Sequence, residues 1–348
     1  MKRVIKVMFL LALLAMTFSL AGCGDSGKPT LKVFNWFDYI DESVYKAFEK
    51  EYGIRVIYDT FTTNEDMYAK VVSGNADYDV LFPSDYMIKR LINEDRLAKL
   101  DFNNIPNYKY IDDRFKDLDF DPNNEYSVPY MWGTLGILYN KEMVDEPVTS
   151  WDILWDSKYS KNIFMYASQR DAIGVALKRL GFSLNSRNEA ELEKAKQSLI
   201  EQKPLVLAYV GDDVKDKMVA EEAALAVVYS GDAIYSIWEN ENLAYAVPEE
   251  GTNLWFDSMV VPKNSKHKKE AELFINWMCD PENALKNTMY IGYSTPNSAA
   301  YDMLPDEVKN DKSAYPDDEI LEKCEVFDDI SDVLDIYNRI WDEVMTAN

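Results

Sequence analysis

Two short segments pair a flat ring with an acid. Trp36-Phe37-Asp38-Tyr39 and Trp255-Phe256-Asp257 each place an indole two residues before a carboxylate. On an extended chain residues i and i+2 share a face, so Trp36 would stand beside Asp38 and Trp255 beside Asp257. A ring next to an acid suits a cation carried on an apolar chain. The ring covers methylenes and attracts the charge, worth about 0.5–2 kcal/mol. A carboxylate on a desolvated ammonium adds a charge-assisted hydrogen bond of about 1.5–3 kcal/mol. An ammonium buried without a partner would cost more than both, so such a site needs roughly one acid per nitrogen.

Other chemistries lack their residues. The single histidine, His267, lies in the polar stretch NSKHKKE and reads as solvated surface, so no Ser-His-Asp set is visible. A zinc site lacks clustered His or Cys ligands. The loop from Asp119 to Glu125 spaces its acids like a calcium loop but lacks the required glycine, and Tyr130 stands where the closing glutamate belongs. Gly133-Thr134-Leu135-Gly136 is too sparse to cradle a phosphate, and no GxGxxG or P-loop occurs. We expect no catalytic residues, no metal and no cofactor. Carboxylates abound, so a hydrolase using an acid pair is excluded only by the lack of any local signature.

A net charge of −24 makes nucleic acid a poor partner, because phosphate binding needs basic surface. The same charge draws cations inward. Aromatic content is high for so acidic a chain, with 23 Tyr and 8 Trp.

The elements that must position these residues alternate. Strands are predicted at 31–35, 54–58, 79–82, 163–166, 224–229, 243–247 and 258–261, with 127–132 re-entering the sheet. Helices are predicted at 41–50, 64–73, 87–93, 172–180, 191–201, 269–279 and 329–345, several closed by glycine. This alternation implies an α/β fold built on parallel sheets. In such sheets ligands sit beyond the carboxyl ends of strands, which singles out the segments after Asn35, after Phe82 and around Ser127–Trp132. Cys279 lies in the apolar run LFINWMC and reads as core, and no disulfide with Cys324 is asserted.

The N-terminal stretch reads as a secretory signal: Lys2, Arg3 and Lys6 precede a short apolar run ending at Gly22. The run is shorter than a comfortable membrane span of about 20 residues. Leu20-Ala21-Gly22-Cys23 resembles a bacterial lipobox, which marks Cys23 as a lipidation site and the breaker-rich stretch after it as a tether.

The strings FNWFDYID, NEDMYAKV, YDVLFPSDYMI, FDPNNEYSVPYMWGTLGI, VTSWDILW, ALKRLGFS, WFDSMVVPKNSK and IGYSTPNSAA follow one another in this order. Together they resemble the spermidine/putrescine-binding proteins of ABC transporters, over nearly the whole chain after Leu31. The resemblance implies a two-lobed periplasmic-binding-protein fold of type II, each lobe a mainly parallel sheet flanked by helices. It implies a signal at 1–22, a tether at 23–30, one lobe from 31–137 and 259–305, and a second from 138–258 and 306–348. The implied partners are a polyamine and the permease subunits of an importer, on the outer face of the cell membrane. The alternative is a solute-binding lipoprotein for another cationic amine or small solute.

The resemblance also assigns roles. It makes Trp36, Tyr39, Tyr86, Tyr229, Trp255 and Tyr293 aromatic walls, and Asp38, Asp171 and Asp257 acceptors for ammonium groups. Ser84, Ser168 and Phe327 fall at further ligand positions. Ser168 stands where relatives often carry an acid, Asp171 where they carry Glu, Tyr229 where many carry Trp, and Phe327 where some carry an amide. Asp85, Asp212 or Asp232 could replace the missing acid.

Overall fold

The computed structural model describes residues 29–74 and 77–347. The expected signal, and Cys23 with it, lie outside the described residues. Nine strands join in one curled sheet. Strand β1 (Thr30–Trp36) lies between β2 (Arg55–Phe61) and β3 (Val80–Leu81), parallel to both. Far along the sheet, β5 (Ile163–Tyr166) lies parallel to β6 (Val206–Val210) and β7 (Leu225–Tyr229).

The two parallel groups are joined by antiparallel strands. Strand β4 (Ser127–Asn140) is 14 residues long. Its first half pairs with β9 (Leu254–Val260), and its second half with β7 and β8 (Leu243–Ala246). Pro129 cannot donate to the ladder, and the register shifts between Pro129 and Met131. β4 is buried almost throughout, which is why its apolar run continues on both faces instead of alternating.

Two bodies of core hang on this sheet. One gathers residues 31–132 with Trp255, Phe256, Met259 and Phe274. The other side gathers Leu135 and Ile137 with Trp151, Ile173, Leu199 and Tyr337, beside a smaller cluster around Leu138 and Val228. The expected lobe boundary between 258 and 259 therefore differs from the packing: Trp255 and Phe256 pack with the first core. Tyr315 and Leu321, expected in the second lobe, also pack against the first.

The helices flank the sheet as their patterns require. Helix α1 (Glu42–Tyr52) starts at Asp41, whose carboxylate accepts from Ser43 N, and ends at Gly53 with φ 67°. Helices α2 (Asn64–Val72) and α3 (Asp85–Asn93) complete the first side. On the second side α4 (Gln169–Arg179) is capped by Ser168, and α5 (Glu189–Gln202) packs against it. Among the helices that sequence patterning did not anticipate, α6 (Val214–Val219) and α7 (Ser230–Glu239) follow β6 and β7. Helices α8 (Lys268–Met278) and α9 (Pro281–Ile291) return to the first core. Cys279 is buried, its thiol pushed up to about 12 by desolvation.

Candidate functional site

The site lies along β4, where β9 and β7 flank it. The expected strand at 258–261 in fact begins at Leu254, so Trp255 and Asp257 lie inside β9 rather than after a turn. Two residues apart on one strand, they share a face. Gly133 of β4 pairs with Trp255. A Cβ there would come 2.6 Å from the Trp255 ring and 2.5 Å from Ser230 Oγ, so only glycine lets the indole lie over β4. On the other side Tyr229 ends β7 opposite Leu135, and its ring meets Trp255 edge-on at 5.9 Å.

From Trp255 the aromatic contacts continue into the first core. Tyr293 meets Trp255 at 4.9 Å with perpendicular rings, and Tyr39 meets Tyr293 at 5.6 Å. In the other direction Tyr166 meets Tyr229 at 5.1 Å. One aromatic surface thus crosses from one core to the other.

Acids stand along it. Asp257 is 6% exposed and accepts from Ser84 Oγ at 2.7 Å. Ser84 is held in turn by Asn64, whose Nδ2 donates to Ser84 Oγ at 3.0 Å. Burial pushes the Asp257 carboxyl up to about 7, against the hydrogen bond from Ser84 and the nearby Tyr39 hydroxyl. Asp85 beside it is fully buried and raised to about 8 by desolvation, although Phe256 N and Tyr86 N donate to it. Asp171, 3% exposed on the first turn of α4, accepts from Tyr229 OH at 2.8 Å and is also raised by burial. Ser168 Oγ accepts from Asp171 N at 3.4 Å, so Ser168 caps the helix that aims this acid.

Three polar atoms of this group have no hydrogen-bond partner among the described residues: Tyr39 Oη, Asp171 Oδ1 and Trp255 Nε1. An unpaired buried polar atom costs about 1–3 kcal/mol. All three lie along this aromatic surface.

The remaining expected residues divide. Trp36 Nε1 donates to Phe82 O at 2.8 Å, which ties it to the segment carrying Ser84, and its ring packs on Phe61. Asp38 does not share its face: the chain turns after β1, Asp38 takes φ 52°, and its exposed carboxylate accepts from Tyr290 OH at 2.7 Å. Tyr86 donates to Glu65 at 3.1 Å, and its ring stands perpendicular to that of Phe327 with centroids 6.4 Å apart. Phe327 is buried under the Arg170 guanidinium, 4.3 Å from its centroid. Arg170 itself is buried and donates to Asp328 O and Asn185 Oδ1.

Asp232 emerges as a further acid. It sits in the first turn of α7, three residues beyond the end of β7, and burial raises it to about 6 against the pull of Lys215. The comparison with the family's acids named this position only as one of three substitutes, with no place for it in the fold.

The sequence matches the family described as bacterial extracellular solute-binding protein over residues 43–316. The chain belongs to that family. A spermidine/putrescine-binding periplasmic protein of Salmonella typhimurium is 34% identical over 337 residues, covering 96% of this chain and 97% of that one. A solved structure named for a spermidine/putrescine ABC transporter of Listeria monocytogenes superposes with a TM-score of 0.87 at 44% identity, covering 92% of this chain and 99% of the other. The spermidine/putrescine ABC transporter substrate-binding protein of Streptococcus pneumoniae gives 0.83 at 42% identity, with the same coverage. The fold is thus the two-lobed periplasmic-binding-protein fold of type II, as the resemblance implied. The family's members are extracytoplasmic binding proteins of transport systems.

Proposed function

We propose that the chain captures a polyamine, spermidine or putrescine, between its two lobes and delivers it to the permease of an ABC importer. The reading is carried by one observation: buried acids from both sides, Asp257 and Asp171, flank a shared aromatic surface, and Asp171 Oδ1 is left with no hydrogen-bond partner among the described residues. An ammonium supplies the charge that a desolvated carboxylate lacks, and a methylene chain matches the faces of Trp255 and Tyr293. Trp36, Tyr39, Tyr86 and Tyr229 extend the walls, Ser84 and Ser168 orient the two acids, and Phe327 closes one side. The ligand is bound and released unchanged. Cys23 carries the lipid that keeps the protein on the outer face of the membrane.

Stability rises with any ligand that binds only the folded state. A hundredfold excess over the dissociation constant adds about 2.7 kcal/mol, which for a chain of this size lifts the unfolding temperature by about 5 °C. Putrescine and spermidine are expected to give such shifts, and uncharged or acidic amino acids none. Millimolar amine without a shift would refute the assignment.

Gly231 tests the closure between lobes. It opens α7 on the second side, and a Cβ there would come 2.2 Å from Cδ1 of Tyr293, which packs on the first core. Gly231→Ala is expected to weaken amine binding by about tenfold or more, because overpacking at a contact typically costs 1–3 kcal/mol. Titration calorimetry measures this. Unchanged affinity would mean that Tyr293 and Gly231 need not meet when the amine is held.

A further inference from the structure

A second group of charges stands at the Tyr166 end of the aromatic surface. Asp212 follows β6, Lys215 lies on α6, and Asp232 opens α7. Lys215 Nζ is 3.5 Å from Asp232 Oδ1, and the two side chains are only 28% and 13% exposed. The same ammonium lies 5.6 Å from the Tyr235 ring. Asp212 accepts from Tyr166 OH at 2.8 Å. Asp212 and, from the first lobe, Asp38 are close enough to act on Lys215 electrostatically.

Tyr293 links this group to the amine site. Its hydroxyl lies beside Asp232, while its ring meets Trp255 at 4.9 Å and Tyr39 at 5.6 Å. A diamine with its nitrogens at Asp257 and Asp171 lies over Trp255 and Tyr229, whereas a longer amine that continues along Tyr293 points its far end toward Asp232. There it meets a lysine ammonium already paired.

We propose that Lys215 sets ligand length: its ammonium fills the acidic subsite at Asp232 that the third nitrogen of a triamine would need, so the cleft favours a diamine. The inference rests on the polyamine reading above. A diamine needs about two acids, which Asp257 and Asp171 supply. A triamine must displace Lys215 or bring a like charge against it, and like charges juxtaposed in a poorly hydrated site are costly. Lysine suits the role because a compact ammonium on a flexible stem mimics the end of the ligand.

Calorimetric titration of the unmodified protein with putrescine and with spermidine is the first reading. Putrescine is expected to bind at least about tenfold tighter, the scale of one unfavourable charge contact. Lys215→Met is expected to raise the spermidine-to-putrescine affinity ratio at least about tenfold. Lys215→Arg, which keeps the cation, should preserve the ratio, and adding Asp232→Asn to Lys215→Met should cancel the gain. Tighter spermidine binding by the unmodified protein would overturn the proposal even if no variant folds. So would an unchanged ratio in Lys215→Met with both amines still bound. Binding of neither amine by the unmodified protein would instead sink the polyamine reading, and this inference with it.

Discussion

Asp257→Asn is expected to lower the affinity for putrescine and spermidine by at least about a hundredfold, the scale of leaving one partner of a buried ion pair uncompensated. The substitution spares the surroundings. Asparagine keeps an oxygen that can accept from Ser84 Oγ, as Asp257 does at 2.7 Å, and the β9–β4 ladder is unaffected. The ligand-free protein should therefore stay folded. It should be as stable as the parent or more so at pH 8, because a desolvated carboxylate has gone. Titration calorimetry reads the affinity, and thermal unfolding without ligand reads the fold. Affinity retained within a few-fold would remove Asp257 from the amine site.

The second large effect is on pH. Asp257, Asp232 and Asp85 are held at about 7, about 6 and about 8, all above the ordinary carboxylate value of 3.8, chiefly by burial. Folding thus favours their protonated forms. The stability this brings is fully present below pH 4 and is lost as pH rises through about 6 to 8. Carboxylates held low by partners, such as Asp145 beside Lys158 and Asp328 beside Lys89, behave oppositely. Their contribution is complete above about pH 4 to 5 and does not mask the trend. The ligand-free protein is therefore expected to lose unfolding temperature steadily from pH 5 to 8.

Amine binding should run the other way. The ligand needs ionised acids, so binding at pH 6 releases about one proton, mainly from Asp257. Affinity should climb by about tenfold per pH unit below 7 and level off above 8, while the amines stay protonated throughout. Titrations at pH 6 in buffers of differing protonation enthalpy read the proton directly. A flat or falling affinity between pH 5 and 7 would show that these acids do not meet the ligand.

Local rules carried some of this site and missed the rest. Trp255 and Asp257 were legible because i and i+2 spacing survives in a strand, even though β9 begins four residues before its expected start. The same spacing misled at Trp36 and Asp38, because β1 ends at Trp36 and the left-handed turn at Asp38 sends the carboxylate to Tyr290. The strand expected at 127–132 in fact runs on to Asn140, through Gly133 and Gly136. They are glycines because the Trp255 and Tyr245 rings cover them, a demand set by residues about 110 to 120 positions away. Lys215 and Asp232 are nearer in sequence but sit on separate short helices, α6 and α7. No periodicity announces that their charges meet.

The most direct test is a crystal structure with putrescine bound. One nitrogen should lie within about 3 Å of the Asp257 carboxylate, with the methylenes against Trp255 and the second nitrogen toward Asp171 beside Tyr229. Saturating putrescine found elsewhere on the surface, with Asp257 and Asp171 untouched, would contradict the account.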